Sequence, residues 1–333
     1  MKVVQKPYAK AFIDFAKDKK DVYCVTADLT SSCEVDTFRD QHPERFISLG
    51  MTEQNMVSFC SGLAMEGFWP FIHTFAVFLY RRVLDQIICS AAYPNRKVRL
   101  MGFLPGITTP GGITHQAIED IAVLRCIPNM TILETGDATE VETVLDIADS
   151  IDGPVYVRVL RGEVLRLFDS PFQFNRLRLL SEGEDILLLT SGIMTEEALK
   201  VTGALKNAGV SICHLHVSTL KPFAEKEFLD CLSKVKHGVI TLENHVITGG
   251  LGSIVSEIMA ENGVSKKLTR LGLKDTFAHG ASLYYLLAEY QMDAENLLKT
   301  VEKMMNIQTG IKKDNFLNTR DETGIELEKT EDL

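Results

Sequence analysis

The sequence has little that would tie it to nucleic acid, a membrane or an oxidising compartment. Its 333 residues hold 35 Lys and Arg against 45 Asp and Glu, a formal net charge of −10. That balance disfavours contact with phosphate backbones, so no nucleic-acid partner is expected. No segment approaches the ~20 successive apolar residues of a membrane span, so no membrane association is expected. The start, Met1-Lys2-Val3-Val4-Gln5-Lys6, has no apolar signal core. Cys24, Cys33, Cys60, Cys89, Cys126, Cys213 and Cys231 stand singly. With no CxxC pair the usual zinc spacing is absent, and an odd total fits buried thiols and a cytoplasmic location. No P-loop, HExxH or GxSxG occurs. Gly249-Gly250-Leu251-Gly252-Ser253 lacks the GxGxxG spacing and a fitting acidic residue, so it predicts a tight turn into a helix.

What is present is an alternation. Apolar residues make up 45% of the chain, enough at this length to fill two cores. Short apolar runs at 22–27, 46–49, 70–75, 98–103, 130–133 and 154–159 read as strands. Between them, helical spacing appears at 8–18, 56–67, 81–92, 115–125 and 138–148. Strands and helices in this rhythm predict an α/β domain over 1–165, with a mostly parallel, doubly wound sheet covered on both faces. A looser stretch, 166–185, predicts a linker. The alternation restarts in a smaller α/β domain over 186–308. Residues 309–333 are polar and predict a mobile tail.

In open α/β sheets ligands gather beyond the carboxyl ends of the strands, and several residues suited to chemistry stand there. Glu53 lies where a strand gives way to a helix, although a carboxylate there is usually just a solvated first-turn acid favoured by the helix dipole. Asp28 ends another strand. Phe75, Phe78 and Tyr80 could hold a flat heterocycle, or could be ordinary core. Thr114-His115-Gln116 leave a loop, 104–114, that is rich in glycine, and His115 could titrate over a substrate or simply bond to backbone. Arg158 and Arg161 follow a strand and suit a phosphate ester, or no ligand at all. His214 and His216 alternate along a strand, as core or rim residues do.

Together these residues resemble a known family. Gly50-Met51-Thr52-Glu53-Gln54-Asn55-Met56, Phe75-Ala76-Val77-Phe78, Thr114-His115-Gln116-Ala117-Ile118-Glu119-Asp120 and Arg125-Cys126-Ile127-Pro128-Asn129-Met130 resemble the C-terminal half of transketolase. Pro222, Glu243-Asn244-His245 and Gly272-Leu273-Lys274-Asp275-Thr276-Phe277 extend the likeness to about residue 305. The resemblance implies a pyrimidine-binding domain and a transketolase C-terminal domain of a thiamine diphosphate enzyme. It implies that Glu53 bonds N1′ of the aminopyrimidine and that Phe75 and Phe78 bed that ring. Asp28 would lie near the thiazolium and His115 near the reacting carbonyl, while Arg81 stands in place of a usual tyrosine at the coenzyme. Ser32 and Arg161 match phosphate contacts. Burial would raise the Glu53 pKa and the helix N-terminus would oppose that.

The family holds diphosphate and metal on a GDG motif with a later Asn, whereas the only Gly-Asp here is Gly136-Asp137, followed by Ala138. The resemblance therefore implies one subunit of a split enzyme. A separate N-terminal chain would carry the GDG site with Mg2+ or Ca2+, completing an α2β2 assembly with contact between copies of this chain. No metal ligand is assigned within this chain. Gly111 replaces a usual acidic residue and Phe103 a phosphate-binding His, which points to an unusual sugar phosphate. The beta subunit of a 2-oxo acid decarboxylase or dehydrogenase has the same layout, and a non-catalytic regulatory or scaffold partner is the reading from another class.

Overall fold

Short buried strands build two main sheets in the computed structural model, which describes residues 1–319. The strands are β1 (Lys2–Gln5), β2 (Val22–Thr26), β3 (Phe46–Ser48), β4 (Trp69–Phe75), β5 (Arg99–Phe103), β6 (Thr131–Glu134) and β7 (Val155–Val159). They continue with β8 (Glu163–Arg166), β9 (Leu177–Ser181), β10 (Ile186–Ser191), β11 (Ile212–Val217), β12 (Thr219–Lys221), β13 (Gly238–Val246) and β14 (Leu268–Leu273). The first sheet runs β12-β6-β7-β5-β4-β2-β3 and the second β14-β13-β10-β11-β9. All pairs within the first are parallel except β12 on β6, and within the second only β9 on β11 is antiparallel. Every residue of β5 and β7 is buried, as strands covered by helices on both faces must be. The chain is α/β, as the alternation predicted.

Four features depart from the pattern read along the sequence. The helix expected over 115–125 starts only at Asp120, because Gly112–Thr114 form a 3-10 turn first. The helix expected over 81–92 is a short α-helical turn, Leu84–Gln86, followed by a π-helical segment, Ile87–Ala92. The stretch expected to be a linker contains β9, an edge strand of the second sheet. At the start of the expected tail, Leu317 N donates to Lys200 O at 2.8 Å and the Thr319 hydroxyl to Glu196 at 2.9 Å. Residues 309–319 thus lie against the second domain; 320–333 lie outside the described residues.

The two domains interlock. β12 leaves the second domain to pair with β6, so the first sheet ends on a borrowed strand. Arg158 lies inside β7 with no solvent exposure, not beyond the strand as its place in the sequence suggested. Its Nε donates to Asp120 at 2.9 Å, Nη1 to Glu134, and Nη2 to Ala117 O at 3.2 Å and Asn244 O at 2.9 Å. Tyr156 donates to the same Asp120 oxygen at 2.6 Å. Burial works against the Arg158 charge, and the Asp120 and Glu134 carboxylates outweigh it, raising its pKa. An arginine so enclosed joins domains and has no fork left for a phosphate.

Candidate functional site

The carboxyl ends of β2, β3, β4, β5 and β7 share one rim, because these strands are parallel neighbours. Gly50, at φ +69°, turns the chain from β3 toward the helix Glu53–Met65. That left-handed value is costly for any side chain but glycine. Glu53 is the helix's first residue and only 2% exposed. Its Oε1 accepts a hydrogen bond from Arg82 Nη1 at 2.8 Å, and the arginine is itself 43% exposed on its side chain.

An aromatic floor continues from this pair. The Arg82 guanidinium lies 4.0 Å from the centre of the Phe78 ring. Phe78 and Phe75 stack with centroids 6.1 Å apart and planes at 24°. The His115 ring stands edge-on to both, at 6.0 Å from Phe75 and 5.9 Å from Phe78. Its Nδ1 is 2.8 Å from the Thr114 hydroxyl, which fixes the ring's orientation. A Cβ at Gly111 would lie 2.9 Å from His115 Cβ, so the glycine is what lets the imidazole fold over this floor.

On the far side, Arg161 lies 6.0 Å from the Phe75 ring centre and donates to Ser32 O at 2.9 Å. Glu34, 2% exposed, accepts from Gly162 N at 2.6 Å and so holds the arginine's loop. Asp28 is exposed just past β2. Glu53, Phe75, Phe78, His115, Arg161 and Ser32 are thereby linked by contact. Arg81 is placed differently from Arg82. It donates to Glu119 Oε1 at 2.8 Å and Oε2 at 2.9 Å and to Ile113 O at 2.6 Å, clamping the glycine loop. Sequence reasoning chose Arg81 and missed Arg82, Glu34 and the looping role of Gly111; the paired arginines after the aromatic run were the available signal. Phe103 is fully buried in β5, edge-on to Tyr8 at 5.0 Å, and faces the core.

The loop 104–114 is not loose. Asn244 of the second domain receives Ile107 N at 2.9 Å and donates to Pro105 O at 3.1 Å. A Cβ at Gly106 would meet the Asn244 carboxamide at 2.2 Å, so only glycine permits this approach. Gln116 Nε2 reaches His279 O at 3.3 Å. The second domain therefore fixes the loop that carries His115.

The rim offers a buried carboxylate, a stacked aromatic pair and an imidazole, a set suited to a protonatable, planar ring. The Gly-Asp of the sequence is engaged elsewhere: Asp137 caps the helix Ala138–Asp149 through Glu140 N at 2.8 Å and receives Leu167 N and Phe168 N at 2.9 and 2.8 Å. Among the described residues no group of three His, Cys, Asp or Glu could hold a metal ion. Beside the rim, residues 54–65 of the helix carry no charged side chain, and Met51, Phe59, Met65 and the nearby Ile88 are exposed. The outer face beside the buried carboxylate is thus uncharged, with Gln54, Asn55 and Ser58 exposed alongside Phe59 and Met65.

Comparison with known proteins agrees on both domains. The transketolase pyrimidine-binding domain matches residues 2–165 and the transketolase C-terminal domain residues 175–297. The 6-deoxy-6-sulfo-D-fructose transketolase subunit SqwH of Clostridium sp. is 35% identical over 301 residues, which cover 89% of this chain and 92% of that protein. A protein of Methanocaldococcus jannaschii named as a transketolase C-terminal section is 33% identical, covering 91% and 96%. Among solved structures, a split-gene transketolase described as an inactive beta4 tetramer superposes with a TM-score of 0.82 at 31% identity, covering 90% and 97%.

Proposed function

The chain belongs to the transketolase family of thiamine diphosphate enzymes, and from that premise we propose that it is the C-terminal subunit of a two-chain transketolase, moving a two-carbon ketol unit between sugar phosphates. A separate N-terminal chain would hold the coenzyme's diphosphate and its Mg2+ or Ca2+ in an α2β2 assembly. The observation that carries this reading is Glu53: a carboxylate 2% exposed, next to a stacked aromatic pair and an uncharged helix face. Thiamine diphosphate, when bound, would supply the electron sink for carbon-carbon cleavage. Glu53 would hold a proton at N1′ of the aminopyrimidine, which requires Arg82 to swing from Oε1 into solvent. Phe75 and Phe78 would bed that ring, His115 would hydrogen-bond the reacting carbonyl region, and Asp28 would stand near the thiazolium. The partner's surface over the 54–65 face would exclude water from the carboxylate.

Arg161 beside Ser32 would take the anionic end of the sugar. Gly111, standing where the family usually has an acidic residue, supports an unusual donor, and the Clostridium relative's name makes a sulfonate the second candidate for the anionic end. The split-gene transketolase described as an inactive beta4 tetramer supports the reading that a chain of this kind needs a partner. The test is glycolaldehyde-unit transfer by the complex reconstituted with its diphosphate-binding chain. Glu53→Gln is expected to lower kcat by ~10² to 10⁴. Unchanged turnover would leave only the scaffold reading, and 2-oxo acid decarboxylation in place of transfer would favour the decarboxylase.

A further inference from the structure

Two loops at the rim are tied to each other by a reciprocal pair of bonds. From the turn after β7, the Arg161 side chain donates to the Ser32 backbone carbonyl at 2.9 Å. From the loop after β2, the Glu34 side chain accepts from the Gly162 backbone amide at 2.6 Å. The Gly162 carbonyl is held as well, accepting from Lys6 N at 2.7 Å. Three left-handed residues meet there: Lys6 at φ +44°, Glu34 at +57° and Gly162 at +72°. Only the glycine takes that conformation without cost. The Gly162 amide belongs to the planar peptide that follows the Arg161 Cα, so the bond from Glu34 fixes the backbone from which the arginine side chain leaves.

Glu34 itself stands in a costly place. It is a left-handed glutamate, 2% exposed, and burial pushes its carboxyl up from the ordinary value. The Gly162 amide is the largest influence in the opposite direction, ahead of the charges of Arg161 and Lys6. Backbone strain of this kind persists where the surroundings hold it, and it clusters at ligand sites. The carboxyl is closed to solvent, whereas Ser32 and Arg161 are half-buried and the guanidinium lies 6.0 Å from the Phe75 ring centre. A ligand at the rim therefore meets Arg161 and Ser32, and Glu34 acts on it only through them.

We propose that Glu34 is a positioning residue for the anionic end of the substrate: by holding the peptide that follows Arg161 it fixes the guanidinium beside Ser32, and so sets the preference for a charged sugar over an uncharged one. This rests on the reading of Arg161 as the partner of that anionic end. The tie is to a backbone amide, so what matters is an acceptor oxygen at the end of a side chain of this length. A neutral amide of the same shape serves as well as a carboxylate.

Erythrulose and erythrulose 4-phosphate test it, since both give up the same two-carbon unit and differ only in the phosphate. In the complex reconstituted with its diphosphate-binding chain, the ratio of kcat/KM for the phosphate to that for erythrulose should fall about tenfold in Glu34→Gly, the worth of one charge-assisted hydrogen bond, with the loss in KM. Glycine suits φ +57°, so the variant folds. Glu34→Gln keeps an oxygen for Gly162 N and should restore the ratio. Added to Arg161→Ala, Glu34→Gly should lower the ratio no further, because both act through one guanidinium. In the full chain alone, hydrogen exchange at the Gly162 amide should quicken in Glu34→Gly and not in Glu34→Gln. An unaltered complex with no preference for the phosphate would overturn the reading of Arg161, and the proposal with it. With that preference present, a ratio that does not fall in Glu34→Gly, a fall that Glu34→Gln shares, losses that add to those of Arg161→Ala, or unquickened exchange would each overturn the proposal alone.

Discussion

Arg82 and Arg158 both bind carboxylates of the first domain, under opposite conditions. Arg82 makes one hydrogen bond to Glu53 from a side chain that is 43% exposed, so water competes for it and its release is cheap. Arg158 has no exposure, binds Asp120 and Glu134, and spends its remaining donors on Ala117 O and Asn244 O. The first arrangement can be exchanged for a ligand and the second cannot. A pair open to water stands at the rim and an enclosed one at the joint, and the joint in turn fixes the loop carrying His115.

The largest expected effect tests the permanence. Arg158→Met leaves two buried carboxylates without their guanidinium and should cost about 3–5 kcal/mol in urea unfolding. A loss below about 1 kcal/mol would mean that water reaches the joint, and the contrast would fail. A smaller, pH-dependent effect comes from Glu243 at the same joint. It accepts from Leu251 N at 2.6 Å and Gly252 N at 2.9 Å, and burial pushes its carboxyl up from 4.5 to about 8 despite those donors. The folded state therefore keeps a proton that the unfolded chain releases above its ordinary value. Stability from this group is fully present below about 4.5 and falls as pH rises to about 8. Subtracting the profile of Glu243→Gln from that of the unaltered chain should leave a decline confined to that window; a flat difference contradicts the buried, protonated carboxyl. The smallest effect is that of Arg82→Ala. Solvent screening limits the pair, so the change in stability should stay below about 1 kcal/mol, and a larger loss would make Arg82 a structural tie.

The alternation of strands and helices was legible because parallel strands buried on both faces are short apolar runs, as β5 and β7 are. The rim residues were legible for the same reason, since strand ends locate them. What escaped depends on contacts distant in the chain. Nothing local in Thr219-Leu220-Lys221 reveals that it pairs with β6 of the other domain. Arg158 and Arg161 look alike in sequence, and their separate fates follow from one lying inside β7 and the other after it. Arg81 and Arg82 are adjacent, yet one clamps the loop through Glu119 and the other reaches Glu53. The paired bonds of Glu34 with Gly162 and of Arg161 with Ser32 join residues 128 and 129 apart and have no local signal at all.

The central claim is that this chain supplies the pyrimidine half of a coenzyme site and needs another chain for the rest. Calorimetric titration of thiamine diphosphate with a divalent cation tests it, first into this chain alone and then into its mixture with the diphosphate-binding chain. Little heat is expected from the chain alone, and stoichiometric, tight binding from the mixture. Tight stoichiometric binding by this chain alone would contradict it.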